Sequence, residues 1–501
     1  MLEHILKSLS LVQPEIALGI TFVAAIFVEF IFKAKRHVTG YFVLLGFAVT
    51  FILLVMQKSE PQLLFNAMYA VDPFAHFFKY FVLAVSAVIV FFSFRSKELE
   101  KEEAHYGEYY SLISATALGM FFMASASHLL MMYISIELVS ISSYILAGYM
   151  KGTRRSSEAS LKYVLFGGIS SGLMLYGISL IYGLTGALDI YSIRNYLADG
   201  SLSVGTWSFG ALIGAIILLL AGFGYKISAV PFHFWTPDVY EGAPITITAY
   251  LAVASKAAGF AMMIRFFFSA FFDAESVEGH FKALQGIDWN SIVAVISLLT
   301  MTIGNLIAVW QNNLKRLLAY SSIAHAGYML MGVVVLSNIG LTAILTYFLV
   351  YAFMNLGAFY IVMTIADTTG SEDINDYKGL AQRTPFIAAV FSLFLISLTG
   401  LPPTAGFIGK FYLFAAVLDS PKFLWLAIAA IINSVISLYY YARIFRNMYL
   451  REAEEGSTSV LPLKPVVLIW CLIFAIPTLL FGLYFQPIVG FAQNSIRMFM
   501  P

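Results

Sequence analysis

Five ionisable side chains lie within or at the edges of long apolar stretches of this sequence. They are Glu137, Lys162, Lys226, Lys256 and Lys410. A charge at the centre of a membrane-spanning helix costs about 2.5–3.5 kcal/mol on insertion scales, so residues of this kind usually mark an ion pathway. Burial favours the neutral form of a lysine and a nearby carboxylate favours the charged form. Buried lysines beside a glutamate can therefore pass protons to one another without a metal or a covalent intermediate.

Each of these residues also has a purely structural interpretation. A lysine beside hydrocarbon can extend its ammonium group to the membrane surface, and this applies most to Lys162, which we expect near the start of its helix. Glu137 can be a neutral, hydrogen-bonded carboxylic acid. His233 and His325 can relay protons between the lysines because histidine titrates near neutral pH, or they can be hydrogen-bonded histidines without a role in conduction.

Two proline-containing stretches interrupt the apolar helices that carry Lys226 and Lys410. The first is YKISAVPFHFWTPDVYEGAP (225–244), in which Pro231 cannot donate a hydrogen bond to the carbonyl of Ile227. The second is LTGLPPTAGFIGKFYLF (398–414). Irregular backbone at membrane depth is tolerated only where protein buries it or where it lines a wet cavity. The combination of a buried charge with a broken helix favours an ion pathway.

The composition indicates a membrane protein without a redox or nucleotide site of its own. Of its 501 residues, 60% are hydrophobic and 11% are charged, whereas soluble domains carry roughly 25% charged residues. The net charge of +1 argues against a nucleic-acid partner, and the single cysteine, Cys471, excludes a disulfide or a cysteine metal site. There is no Walker A, GxGxxG or CxxC motif, so we expect no cofactor and no metal in this chain.

At about 20 apolar residues per crossing, the sequence predicts an all-α polytopic membrane protein with about fourteen helices. Their expected limits are 13–32, 39–57, 73–94, 110–125, 128–149, 160–184, 207–232, 242–270, 289–311, 317–337, 340–366, 385–418, 423–445 and 465–486. The twelfth is too long for a straight crossing and must contain a break.

The sequence also contains a weak internal repeat. Glu137 precedes Lys226, and His325 precedes Lys410, by similar intervals and two helices. Corresponding interrupted helices are typical of inverted repeats in transporters. We therefore expect two inverted five-helix repeats with discontinuous helices 7 and 12. The predicted segments are an N-terminal three-helix segment (1–109), the first repeat (110–270), the second repeat (271–446) and a C-terminal helix 14 (447–501).

Basic residues concentrate in alternate loops. The richer set lies around 33–36, 95–101, 151–155, 315–316, 378–383 and 443–464, and the other loops contain little beyond Lys7, Lys58, Arg194, Lys282, Lys422 and Arg497. The positive-inside rule makes the first set cytoplasmic. Both termini then lie on the outer, periplasmic side, which agrees with an even number of helices.

Five segments together are specific enough to indicate a family. They are SIELVSISSYILAGY (135–149), EASLKYVLFGGISSG (158–172), the stretch 225–259, NLKRLLAYSSIAHAGYMLMG (313–332) and LTGLPPTAGFIGKFYLF (398–414). The chain resembles the antiporter-like membrane subunits of respiratory complex I over essentially its whole length. A sister type, subunit M, usually has glutamate where this chain has Lys410. Because the sequence stops at Pro501, we also expect it to lack the long lateral helix of another sister type, subunit L.

This resemblance implies a role for each candidate residue. The proton path of the family runs through a helix-5 glutamate, a helix-6 lysine, and lysines of helices 7, 8 and 12, matched here by Glu137, Lys162, Lys226, Lys256 and Lys410. It implies a proton-translocating NADH-quinone oxidoreductase in which FMN, iron–sulfur clusters and quinone belong to partner subunits. The implied partners are a neighbouring antiporter-like subunit of the M type, small membrane subunits, the hydrophilic arm indirectly, and the lipid of a bacterial inner membrane.

Three other functions remain open on sequence grounds. The broken helices also occur in subunits of multi-subunit sodium/proton antiporters, and ferredoxin- or F420-linked complexes share the same membrane arm. A stand-alone transporter of a small solute is disfavoured, because no polar cluster beyond the titratable residues suggests a solute pocket.

Overall fold

The computed structural model of the chain describes residues 8–32, 36–57, 60–101, 106–199, 207–273, 280–284, 286–452 and 464–496. The basic positions Lys7, Lys33, Lys35, Lys58 and Arg497 used in the loop comparison lie outside the described residues. The topology prediction therefore depends on the remaining loops for any structural support.

The described chain is almost entirely helical. Its first helices are α1 Gln13–Phe32, α2 Arg36–Met56, α3 Pro73–Ser93, α4 Lys97–Lys101, α5 Tyr106–Ser125, α6 Leu129–Ala147, α7 Arg154–Thr185 and α8 Ile190–Ala198. The middle of the chain contains α9 Trp207–Ile227, α10 Trp235–Gly242, α11 Ile245–Tyr250, a π-helical turn Leu251–Ser255, α12 Lys256–Ala270, α13 Trp289–Ala308 and α14 Leu314–Val334.

The rest of the chain continues the bundle. It contains α15 Asn338–Thr369, α16 Leu380–Arg383, α17 Pro385–Thr399, α18 Ala405–Leu418, α19 Leu424–Leu450, α20 Pro465–Leu483 and α21 Gln486–Ser495, with short 3₁₀ turns at Ile374–Tyr377 and Pro421–Phe423. Two small antiparallel hairpins pair β1 Gln62–Leu64 with β2 Tyr69–Val71, and β3 Phe272–Asp273 with β4 Lys282–Ala283.

Twelve of the described helices are long and apolar enough to cross a membrane. The other two predicted crossings are α5, a helix of 20 residues that begins in the polar sequence YGEYYS, and the pair α17–α18. The prediction of an all-α polytopic membrane protein with a broken twelfth helix is confirmed. Inside the bundle, the segment from α11 to α12 is entirely buried, whereas only a minority of the residues of α1 and α20 are buried.

Both proline-containing stretches interrupt a helix where the sequence predicts it. The helix α9 ends at Ile227, because Pro231 has no amide hydrogen for the Ile227 carbonyl. The indole of Trp235 donates to the Tyr225 carbonyl at 3.1 Å, and the Val230 amide donates to the Thr300 hydroxyl at 3.0 Å. Surrounding protein groups thus replace hydrogen bonds that the break removes.

The connecting loops contact one another in two separate sets. At one end, residues near His128 bridge to Asp189, His280 bridges to Ser337, and Tyr69 bridges to Ala126. At the other end, Asn313 bridges to Asp373, and the Lys97 ammonium donates to the Asp367 carbonyl at 2.8 Å. The predicted alternation of loops between two sides is consistent with these contacts.

Several helix limits differ from the sequence-based expectation by a few residues, and the largest difference is at the start of α7. The helix α7 begins at Arg154 rather than near residue 160, because its first two turns, RRSSEAS, are polar and carry no hydropathy signal. Lys162 is consequently about two turns inside its helix, not at the start. After α20, the chain forms the additional short helix α21, which the prediction of a single final helix omitted.

Candidate functional site

Lys410 lies at the second helix break. Its ammonium group donates to the backbone carbonyl of Thr399, the last residue of α17, at 2.8 Å and to the Ser434 hydroxyl at 3.1 Å. The side chain of Lys410 is 4% exposed and crosses Gly400, whose φ is +87°. A Cβ at Gly400 would lie 2.6 Å from Cδ of Lys410. The break therefore supplies both a free carbonyl and the space that the lysine occupies.

Lys226 lies at the first break, in the last turn of α9, and is 1% exposed. Its ammonium group is 3.4 Å from the hydroxyl of Ser140 on α6. Glu137 is half-buried and lies one turn before Ser140 on the same helix face, and its carboxylate acts electrostatically on Lys226. The structure thus brings the predicted glutamate and the first lysine together.

Lys256 is the first residue of α12, directly after the π-helical turn. It is 1% exposed, and its ammonium group donates to the hydroxyl of Ser322 on α14 at 2.8 Å. Gly259, one turn further along α12, faces Lys226: a Cβ there would lie 3.2 Å from Cγ of Lys226. The helices of the first two lysines therefore pack directly against each other.

Helix α14 carries a polar stripe that extends from Lys256 towards Lys410. Ser322, His325 and Tyr328 follow at three-residue spacing, which places them on one helix face. His325 is hydrogen-bonded through Nδ1 to the Tyr347 hydroxyl at 2.7 Å, and its ring centroid is 6.0 Å from that of Tyr328. The ammonium group of Lys410 lies 4.5 Å from the Tyr328 ring centroid.

We refer to Glu137, Lys226, Lys256, His325 and Lys410 as the buried line. The sequence pattern did not reveal four further groups that contact its members, namely Ser322, Tyr328, Tyr347 and Ser434. A signal for the first two was present, because each lies three residues from His325 on the same helix.

Lys162 lies apart from the buried line. Its ammonium group pairs with Asp238 at 2.5 Å and with Glu158 at 2.8 Å, and its side chain is 36% exposed. Arg316 also binds Asp238, at 2.6 Å. Burial raises the pKa of the Asp238 carboxyl, but the hydrogen bonds from the two cations outweigh it, so its pKa lies below the ordinary 3.8.

His233 lies in the segment between α9 and α10. It is 3% exposed, and its Nδ1 has no hydrogen-bond partner among the described residues. The adjacent ring of Phe234 lies 4.5 Å away between centroids. The structure therefore does not place His233 in contact with a lysine of the buried line.

A second group of buried polar and charged side chains includes Asp72, His76 and Lys79, each at most 5% exposed. Lys79 pairs with Glu15 of α1 at 2.9 Å, and the Tyr69 hydroxyl donates to the same carboxylate at 2.6 Å. Asp72 binds Arg265 of α12. These partners are distant in sequence, so local patterns could not reveal them.

A polar cavity of about 850 Å³ opens at the end of the bundle where the more basic loops meet. Its lining includes both charge signs, from Lys97, Glu98, Arg155, Glu241, Lys315 and Glu372. Lys315 is 2% exposed, pairs with Glu372 at 2.9 Å and donates to the Ala243 carbonyl at 2.8 Å. Lys315 lies two turns before Ser322 on α14, so the cavity reaches the helix that carries the polar stripe.

No group of three or more histidine, cysteine, aspartate or glutamate side chains suited to a metal ion occurs within the part of the chain that the structure describes. The lysines of the buried line are instead hydrogen-bonded to serine hydroxyls, and Lys410 also donates to a backbone carbonyl. Such an arrangement can transfer protons, but it offers no ligand set for a redox centre.

Comparison with known proteins identifies the family. A family model described as the transmembrane part of NADH:quinone oxidoreductase and Mrp antiporters matches residues 126–437. NADH-quinone oxidoreductase subunit N 2 of Chloroherpeton thalassium is 48% identical over 490 residues, which cover 97% of this chain and 94% of that protein. The chain belongs to the subunit N family of NADH-quinone oxidoreductase. This confirms the family predicted from the five sequence segments.

The family assignment extends over the full length of the chain. Subunit N of an Anaeromyxobacter species is 43% identical over 515 residues, covering all of this chain and 98% of the relative. A chain of Thermus thermophilus respiratory complex I is 29% identical and superposes with a TM-score of 0.77 over 95% of this chain and 99% of that one. A chain of the Dietzia Mrp complex, at 20% identity and a TM-score of 0.78 over 99% and 97%, shares the fold.

Proposed function

We propose that this subunit N family member translocates protons across the membrane along the buried line, as part of a complex I-type NADH-quinone oxidoreductase. The observation that carries the proposal is the set of contacts between the buried lysines and polar side chains of neighbouring helices. Lys226 lies against Ser140, which is one turn from Glu137 on α6, and Lys256 is hydrogen-bonded to Ser322. The stripe on α14 then leads from Ser322 to the Tyr328 ring beside Lys410. The chain is then a subunit of a translocase, and electron transfer belongs to its partners.

In this proposal protons enter from the polar cavity around Lys315 and leave near Lys410. The cavity is lined by the loops that the positive-inside rule assigns to the cytoplasm, and Lys315 shares α14 with Ser322 and His325. Lys410 lies at the second break, against Thr399, Ser434 and Tyr328. Both termini then lie on the periplasmic side of a bacterial inner membrane, and the two five-helix repeats cover 110–270 and 271–446. Lys162 and His233 act beside the line rather than within it.

The partner subunits supply the chemistry that drives the pump. NADH oxidation, FMN, the iron–sulfur clusters and the quinone site belong to those subunits, and an antiporter-like subunit of the M type with small membrane subunits flanks this chain. A proton moved against the membrane potential costs about 2.3 kcal/mol per 100 mV, and nothing among the residues of the buried line supplies that energy.

The test uses the intact complex reconstituted in sealed vesicles. Glu137→Gln and Lys226→Met remove one titratable group each at nearly constant volume. We expect both complexes to assemble and proton pumping to fall by on the order of a hundredfold, the lower end of what a positioned proton-transfer group contributes. Lys422→Met is the matched control, because Lys422 is half-exposed and pairs with Asp288 at the surface. Normal pumping by both line variants would refute the proposed pathway.

The second candidate is a subunit of a multi-subunit sodium/proton antiporter, which the description of the family model also covers. Two measurements separate the candidates. Purification of the intact complex tests for hydrophilic subunits with iron–sulfur clusters, which the first function requires. Ion transport in sodium-free buffer tests the second, because an antiporter stops without sodium whereas the proposed pump continues. A ferredoxin- or F420-linked complex is distinguished by the electron donor that the purified complex oxidises.

A further inference from the structure

The helix that carries Lys256 changes its register immediately before that lysine. The helix α11 ends at Tyr250, the residues Leu251–Ser255 form the π-helical turn, and α12 begins at Lys256. Such turns are rare and occur frequently at functional sites. A π-helical turn contains one residue more than an α-helical turn. If the turn changed to regular α-helix, the helix on one side of it would therefore rotate relative to the other side by about 100°, the angle between successive residues. The ammonium group of Lys256 would then leave Ser322.

One neighbouring helix, α3, binds the Lys256 helix on both sides of the π-helical turn. Before the turn, the hydroxyl of Ser86 is 2.7 Å from the hydroxyl of Tyr250. After the turn, Asp72, the N-cap residue of α3, binds Arg265 through two hydrogen bonds of 2.8 and 3.0 Å. All four side chains are at most 1% exposed. A one-residue relaxation of the turn therefore requires at least one of these buried contacts to break.

The chemistry of Arg265 and Asp72 favours a contact that holds α12 against α3 in one orientation. Arginine cannot release its proton in proteins, so the Arg265 guanidinium that binds Asp72 stays charged. A bidentate pair also fixes orientation more strictly than a single hydrogen bond does. The Arg265 side chain additionally donates through Nε to the Ala124 carbonyl at 3.0 Å, which attaches α12 to the end of α5 as well.

We propose that Ser86 and Asp72 are positioning residues for Lys256, and that α3 holds the π-helical turn in the register that directs this lysine to Ser322. The inference rests on the proposed function, because it assigns a mechanical role to contacts that matter only if Lys256 conducts. It gives the N-terminal three-helix segment a part in conduction although none of its residues belongs to the buried line.

The experiment removes the Ser86–Tyr250 hydrogen bond from either side in the intact complex. Ser86→Ala and Tyr250→Phe each delete one hydroxyl without burying a charge, and the double variant deletes both. The readout is the number of protons pumped per electron in vesicles, which is counted only over assembled, electron-transferring complexes and so does not follow the amount of folded protein. We expect the three variants to lower this ratio equally, and Ser86→Thr, which keeps the hydroxyl, to restore it.

Ser93→Ala is the matched control. Ser93 lies two turns after Ser86 on the same helix and is also bound to a tyrosine hydroxyl, that of Tyr110 at 2.9 Å, but Tyr110 belongs to α5. We expect this variant to pump normally. A wild-type ratio in both Ser86→Ala and Tyr250→Phe, or an equal loss in Ser93→Ala, would overturn the inference.

Lys256→Met separates this inference from the proposed function. If Lys256→Met pumps normally, the proposed function of Lys256 fails. If Lys256→Met is defective while Ser86→Ala and Tyr250→Phe have the wild-type ratio, only the positioning role is refuted.

Discussion

The ammonium group of Lys410 donates a 2.8 Å hydrogen bond to the backbone carbonyl of Thr399, the residue at which α17 ends. In a continuous helix that carbonyl would be bonded to an amide one turn later. The break therefore creates the acceptor that holds the lysine, and the same break needs a residue at position 400 that tolerates a positive φ. The helix break and the binding of the candidate proton-carrying lysine therefore depend on the same two residues, Thr399 and Gly400.

Gly400→Ala tests this relationship. The left-handed conformation costs an alanine about 1–2 kcal/mol, and its Cβ would lie 2.6 Å from Cδ of Lys410. We expect a lower melting temperature of the purified complex together with loss of proton pumping. Gly168→Ala in α7 is the control, since a Cβ there meets no atom within 4 Å and alanine favours a helix. Unchanged pumping in Gly400→Ala would show that the space over the glycine is not required.

Substitutions of Tyr328 distinguish its ring from its hydroxyl. A cation–π contact is worth about 0.5–2 kcal/mol, and the ring lies 4.5 Å from the Lys410 ammonium group. We expect Tyr328→Phe to keep most of the proton pumping rate and Tyr328→Leu to lose more of it, as measured by the initial rate of vesicle acidification. Equal rates in the two variants would contradict a role for the ring.

The buried Asp72–Arg265 pair permits a test by stability alone. Arg265→Met leaves the Asp72 carboxylate buried without its cation, which costs about 3–5 kcal/mol. The double variant Asp72→Asn/Arg265→Met removes both charges, and asparagine keeps the N-cap of α3. We expect thermal unfolding to show a large destabilisation in the single variant and a much smaller one in the double variant. Similar melting temperatures for the two would mean that the pair does not stabilise α12.

The sequence predicted those features that leave a local mark. Pro231 marks the end of α9, and the Pro402–Pro403 stretch marks the break after α17. The π-helical turn Leu251–Ser255 was not predicted, because no glycine or proline lies within it and its apolar residues read as ordinary helix. In the inference proposed above, its register depends on contacts with Ser86 and Asp72 of α3, which are far away in the sequence and are brought close only by tertiary packing.

The candidate site also combines features that have a local sequence signal with features that depend on tertiary contacts. The members of the buried line could be found from their charge in apolar surroundings. The Glu15–Lys79 and Asp72–Arg265 pairs could not be recognised, because each joins helices far apart in the chain. The predicted position of Lys162 within its helix was wrong for a different reason. The first two turns of α7 are polar and give no hydropathy signal, so the prediction missed them.

Lys162 provides a prediction with a defined pH dependence. Its pair with Asp238 is partly exposed, and such pairs contribute about 0–1 kcal/mol, so Lys162→Met is expected to change the melting temperature little and to reduce pumping less than Lys226→Met does. The pKa of Asp238 is lowered in the folded protein. The stabilisation of the folded protein by the ionised Asp238 carboxylate is therefore complete above the ordinary pKa of 3.8. It is lost only as the pH falls through the lower pKa that Asp238 has in the folded protein.

It follows that any stability difference between wild type and Asp238→Asn should be the same at about pH 6 and about pH 8, within the usual range of maximal stability. Thermal melts at the two pH values check this. A difference that grows between them would indicate that Asp238 titrates near neutral pH.

The absence of charge on the serine hydroxyls that accept hydrogen bonds from the lysines has an electrostatic consequence. Lys256 and Lys410 are hydrogen-bonded to Ser322 and Ser434, which carry no compensating charge. On the proposed pathway, a proton arriving at one lysine therefore disfavours a proton on its neighbour, since like charges disfavour each other's ionised form. We expect proton occupancy along the buried line to be anticooperative, so that loading one position favours emptying the next.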